Sequence, residues 1–119
     1  MTLEQFLSNK CPFRSAWIKY PNCDVYLRKS RRHLPPNATF PSPCIDVANI
    51  TCRRQRHGTF TALVAAIQTT THLPVYLENT HADFAASLLR HKWLNITSPD
   101  MARLDTYCLY LPYTAEGDN

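Results

Sequence analysis

The chain has 119 residues, enough for one domain with a modest core. Hydrophobic residues make up 45% and charged residues 18%, a globular balance that excludes a disordered chain. The net charge of +4 is concentrated in two runs, Arg28 to His33 and Arg53 to His57, which suit a polyanion, the phosphates of a cofactor, or an acidic protein face. No apolar run reaches the length of a membrane helix, and Met1 to Leu7 lacks the pattern of a secretory leader, so the expected compartment is the cytoplasm, that of a host cell if the gene is viral. Five widely spaced cysteines without a Cys-x-x-Cys argue against a disulfide framework and a zinc site; Cys44, Cys52 and Cys108 read as buried thiols. None of the five histidines has metal-ligand spacing.

Thr2 and Gln5 form a capping box, which predicts a short helix from Leu3 to Asn9, stopped by Pro12. Arg14 to Tyr20 and Asp24 to His33 alternate apolar and polar residues about a Pro-Asn turn and predict a β-hairpin. Leu34 to Pro43 holds four prolines and reads as an extended connector. Cys44 to Cys52 has the composition of a buried central strand. A helix follows from Gly58 to Thr70, with Phe60, Leu63, Val64 and Ile67 at the spacing of one face. Leu73 to Asn79 reads as a strand, and Asn79 or Thr80 as the cap of a helix running to Lys92 with Phe84, Leu88 and Trp93 inward. Ser98-Pro99-Asp100 opens a short helical turn, and Leu104 to Pro112 closes the fold as a strand. The single domain is expected over residues 1–113, with 114–119 a flexible polar tail. The order predicts an α/β or α+β fold in which a mixed sheet packs against helices.

Gly58 is the only glycine outside that tail, and it stands between an arginine-rich turn and a helix. The first turn of a helix presents free N–H groups, and glycine lets a ligand approach the backbone closely. Arg53, Arg54 and Arg56 add positive charge there, so the junction reads as a phosphate or pyrophosphate site. A dinucleotide-binding fingerprint would need three glycines.

The run Gln55-Arg-His-Gly58-Thr-Phe60, followed by Thr61-Ala-Leu-Val, resembles the acetyl-CoA signature of the GNAT N-acetyltransferase superfamily, Gln/Arg-x-x-Gly-x-Gly/Ala. Phe60 departs from the last position of that pattern. Val75 to Asn79 and His81 to Trp93 look like the next strand and helix of the family, with Asn79 on its common Asn and Lys92-Trp93 where Gly-Phe is usual. The similarity spans about residues 44 to 112. It implies a mixed sheet splayed open beside the signature, flanked by helices, with a reduced N-terminal part. It implies acetyl-CoA held by Ile50, Thr51 and Cys52 through the main chain, by Gln55, Arg56, His57, Gly58, Thr59, Phe60 and Thr61 at the turn, and by Asn79.

The activity implied is transfer of an acetyl group to an amine of a protein or small molecule. Asp46 and Glu78 are the candidate bases and Tyr107 the candidate acid, with Tyr110 and Cys108 behind it. The Tyr that often protonates the leaving thiolate in this family falls near Leu88 here. That departure supports an alternative, a catalytically reduced protein of the same fold that binds a host or regulatory protein. Nucleic acid is the weaker partner, because only Tyr26 is interleaved with the basic residues. An exposed sheet edge would offer a second copy a place to pair.

Overall fold

The computed structural model describes residues 1–52 and 57–115. The chain runs α1 (Leu3–Leu7), β1 (Ser15–Tyr20), β2 (Cys23–Arg32), β3 (Ser42–Cys52), α2 (His57–Thr71), β4 (Val75–His81), α3 (Ala82–Leu89), β5 (Leu94–Asn95), α4 (Pro99–Arg103) and β6 (Thr106–Leu111). The six strands form one mixed sheet in the order β1-β2-β3-β4-β6-β5. β3 and β4 are parallel neighbours joined through α2, and the other pairs are antiparallel. The mixed α+β architecture is therefore the one expected.

The capping box closes α1 as the sequence requires: Gln5 N–H donates to the Thr2 hydroxyl, and Thr2 N–H to the Gln5 side chain. Alternation then sorts the sheet into two faces. Ile18, Val25, Leu27, Ile45, Val47, Val75, Leu77 and Leu109 point to the face that carries the helices. There they meet Leu3 and Phe6 of α1, Leu63, Val64 and Ile67 of α2, Ala85 and Leu88 of α3, and Trp93. The opposite face is covered only in part. Cys44, Tyr76 and Tyr110 are buried there beneath Leu34 and Ile96. Leu34 belongs to the proline-rich segment, which is a hairpin connection between β2 and β3 and laps over one half of this face.

Several expectations are corrected. The strand read as ending at Asn79 continues to His81, because one extra residue in β4 lets it go on pairing with β6. His81 is then the N-cap of α3 and makes no side-chain cap hydrogen bond. α3 ends at Leu89, short of Lys92, and leaves Phe84 and Leu89 exposed. β5 was not legible, since two residues carry no periodicity. Cys52 is not a buried thiol: it forms a disulfide with Cys23, 29 residues earlier. The register places these two opposite each other, and sequence spacing does not reveal register. Cys108 is half-buried rather than buried. Among the described residues, no helix is long and apolar enough to cross a membrane, and no group of three or more His, Cys, Asp or Glu could hold a metal ion.

Candidate functional site

The parallel ladder between β3 and β4 is short. It holds Ile45 with Val75, Asp46 with Tyr76 and Val47 with Leu77, and goes no further. Each strand gains one extra residue immediately afterwards. In β3 it is Ala48, since Leu27 pairs with Val47 and Tyr26 with Asn49. In β4 it falls at Glu78 or Asn79, since Leu77 pairs with Leu109 and Thr80 with Tyr107. Asn79 takes a positive φ of 57°. A bulge bends its strand and re-aims the residues beyond it. Beyond these two bulges Ala48–Cys52 and Glu78–His81 share no ladder pair, a gap in the pairing of the sheet.

The direction of the free main-chain groups follows from alternation. Lys29 N–H donates to the Arg14 carbonyl in front of β1, so Arg28 turns its own peptide groups to β3. Continuing along β2, Tyr26 and Asp24 face β3, and Leu27 and Val25 face β1. Ile50 is opposite Val25 and Cys52 opposite Cys23, so both direct their N–H and C=O away from β2 and into the gap. The Cα–Cα distance of 4.0 Å between Cys23 and Cys52 fits such a non-hydrogen-bonded pair. Thr51, opposite Asp24, spends its peptide groups on β2. Of the main-chain anchors expected in this strand, Ile50 and Cys52 thus turn their peptide groups away from β2, and Thr51 turns its own toward β2.

α2 begins at His57, just beyond the end of β3. Gly58 has an ordinary φ, so its backbone does not require glycine. A Cβ built there meets nothing within 4 Å. Among the described residues, then, nothing packed against Gly58 demands a glycine there. Thr59 and Thr61 share this first turn. The Phe60 ring is instead packed inward, edge-on to Phe84 at 5.1 Å and tilted against Trp93 at 5.8 Å, which ties α2 to α3. Gln55 and Arg56 lie outside the described residues, as do Arg53 and Arg54.

Asp46 and Glu78 come together on the face away from the helices. Asp46 has no exposed surface, and its carboxylate accepts from Arg28 Nε at 2.9 Å, Arg32 Nε at 3.0 Å, Arg32 Nη2 at 2.8 Å and the Ser30 hydroxyl at 2.7 Å. Burial alone would raise its pKa; the hydrogen bonds from Arg32, Ser30 and Arg28 outweigh burial and hold it below the usual carboxylate range. Arg32 also lies 3.8 Å over the Tyr76 ring. Arg28 reaches past Asp46 to form a second ion pair with Glu78, so its guanidinium links β2 to β4 beside the point where β3 and β4 part. Asp46 is enclosed and fully bonded, which suits it to position the two arginines. Glu78 is half-buried and has a single partner, so it is the carboxylate an incoming group can reach.

Tyr107 is on the other face. It pairs with Thr80 and packs against the larger core. Its hydroxyl donates to Asp105 at 3.1 Å, and that hydrogen bond raises the phenol's pKa. Thr80, on the wall of the gap, is 5% exposed, and its hydroxyl is the one buried side-chain polar atom among the described residues without a partner. Sequence reasoning missed Thr80, Arg28 and Arg32. The arginines were legible only as part of a basic run. In the fold Arg28, Ser30 and Arg32 alternate onto Asp46, while Lys29 lies over the Phe6 ring and Arg31 donates to the Pro41 carbonyl. Arg28 and Arg32 are thus paired with carboxylates of the fold, whereas Arg31 is exposed. The chain matches no protein-family model, no curated protein and no solved structure.

Proposed function

We propose that the protein is a GNAT-like N-acetyltransferase that binds acetyl-CoA in the gap between β3 and β4 and acetylates an amine. The observation that carries this reading is the paired bulging of two adjacent parallel strands directly after their last shared pair. A sheet gives up hydrogen bonds at such a gap, and a ligand bound through its amides would recover them. Three further features fit the same ligand. Ile50 offers unspent peptide groups on one wall. Thr80 keeps an orphaned hydroxyl on the other. Gly58 leaves clear space at the first turn of α2, where free N–H groups favour a pyrophosphate. Lys92, at the position where this family usually has glycine, adopts a positive φ of 73°, a conformation glycine takes most readily.

Bound acetyl-CoA would supply an activated acetyl thioester, from which an amine takes the acetyl group with release of the thiol. The Ile50 N–H would polarise the carbonyl of that thioester. Glu78 would take the proton that the acceptor ammonium must lose. Asp46 would act through Arg28, holding its guanidinium in place whether or not Glu78 is engaged with a substrate. Leu88, which is buried, stands where the family's tyrosine would donate to the thiolate, and the Tyr107 hydroxyl is committed to Asp105. This favours a second reading, in which the fold binds the cofactor and a partner protein without turnover.

Calorimetry of the full chain with acetyl-CoA tests the proposal. Micromolar binding is expected. Gly58→Leu should weaken it at least tenfold while folding is retained, since the added side chain meets solvent and not the core. Absence of binding by the unaltered protein would refute the reading.

A further inference from the structure

The uncovered half of the sheet carries a row of side chains that the cofactor site leaves unexplained. Trp17, Tyr26 and Asn49 are consecutive register partners across β1, β2 and β3. All three face away from the helices, on the same side as Asp46 and Glu78. Trp17 is 54% exposed, a large apolar side chain kept in water on a regular strand. Its ring lies 5.1 Å from that of Tyr26, whose hydroxyl is held by Ser15 at 2.8 Å. Asn49 and Thr51 are exposed beside them. A shallow depression lined in part by Trp17, Lys19, Asp24 and Thr51 adjoins the row.

Asn49 follows the β3 bulge directly, so the row ends at the gap. Tyr26 stands one strand spacing from it, about 5 Å, and Trp17 two. The cofactor would enter from the side of α2. An acceptor would then meet the thioester from this opposite face, with Glu78 at its amine and the aromatic row under its body.

The charge on the face narrows the acceptor. Among the described residues of this face, Lys19, Arg28 and Arg32 are matched in number by Asp24, Asp46 and Glu78. A balanced face gives no long-range attraction to a polycation or a polyanion. The depression is open, and Lys19, Asp24 and Thr51 line it beside the apolar Met1, Trp17 and Ile18, so it offers polar groups around an apolar patch and does not enclose a ring. An indole edged by an amide, a hydroxyl and a carboxylate suits a ring that is apolar on its faces and hydroxylated around its rim. We propose, resting on the acetyltransferase reading, that the acceptor is an amino sugar: its ring packs on Trp17 and Tyr26, Asn49 and Asp24 bind its hydroxyls, and its amine reaches Glu78.

The experiment uses the full chain with glucosamine as probe, and with glucose, spermidine and a lysine-containing peptide as comparators. Saturation-transfer NMR reads ring contact, thiol release reads turnover, and acetyl-CoA calorimetry is run separately. Expected are magnetisation transfer to the glucosamine ring protons and acetylation of glucosamine in preference to spermidine or the peptide. Trp17→Ala should raise KM for glucosamine at least tenfold with acetyl-CoA affinity unchanged; Asn49→Ala, at an exposed site, should raise it severalfold and stands in if the first variant folds poorly. Acetylation of spermidine or the peptide in preference to glucosamine would overturn the inference and leave the acetyltransferase reading intact. Ring contact without acetyl-CoA binding would refute that reading and leave the sugar face standing. Loss of both would overturn both.

Discussion

Asp46→Asn isolates the charge at the centre of the polar network while keeping its shape. One carboxylate oxygen receives Arg28 Nε and Arg32 Nη2, and the other receives Ser30 Oγ, Arg32 Nε and, more weakly, Cys44 Sγ. Either orientation of the new amide turns an NH2 group toward at least two donors. Two charge-assisted hydrogen bonds at about 1.5–3 kcal/mol each set an upper range of about 3–6 kcal/mol. The arginine side chains are 37% and 30% exposed and can turn to water, which lowers the expected cost to about 2–3 kcal/mol. With a urea m-value of about 1.5 kcal/mol/M, the unfolding midpoint should fall by roughly 1.3–2 M. The pH dependence has a definite sign. The folded pKa of Asp46 is depressed, so its contribution is complete above the unfolded value of about 3.9 and is lost as pH falls through the folded value. The two proteins should therefore differ at pH 7 and converge in acid. A midpoint shift under about 0.3 M at pH 7, or a difference that persists unchanged to pH 2.5, would refute the claim that this buried charge organises the face.

Thr80→Val removes an unpaired buried hydroxyl, so stability should hold or rise by up to about 1 kcal/mol. The same change should weaken acetyl-CoA binding severalfold; a loss of stability above about 1 kcal/mol would show that the hydroxyl already has a partner. In the native protein Cys44 should resist thiol reagents at pH 8, because it is 1% exposed and burial pushes its pKa up to about 11. Half-buried Cys11 and Cys108 should react before it, and rapid labelling of Cys44 detected by mass spectrometry would contradict the packing of β3.

What the sequence disclosed, and what it withheld, divides along a physical line. Periodicity and composition are local, so α1, the hairpin and α2 could be read from spacing, and β3 and β4 from composition. So could a strand that ends at Cys52 and a helix that starts beside Gly58. Register is not local. The Cys23–Cys52 disulfide, the convergence of Arg28 and Arg32 on Asp46, and the row from Trp17 to Asn49 all depend on which residue stands opposite which. Each extra residue moves the partners beyond it to the other face. Without the Ala48 bulge, Asn49 would share a face with Val47 and Ile50 would share one with Asp46. With it, Ile50 packs beside the core and opens its peptide groups to the gap, while Asn49 joins Tyr26 on the uncovered side. One inserted residue thus sets both walls of the proposed chemistry, the main-chain anchor for the cofactor and the aromatic row for the acceptor. Deleting Ala48 should restore plain alternation and disturb both at once, whereas a surface change at Trp17 should touch only the second.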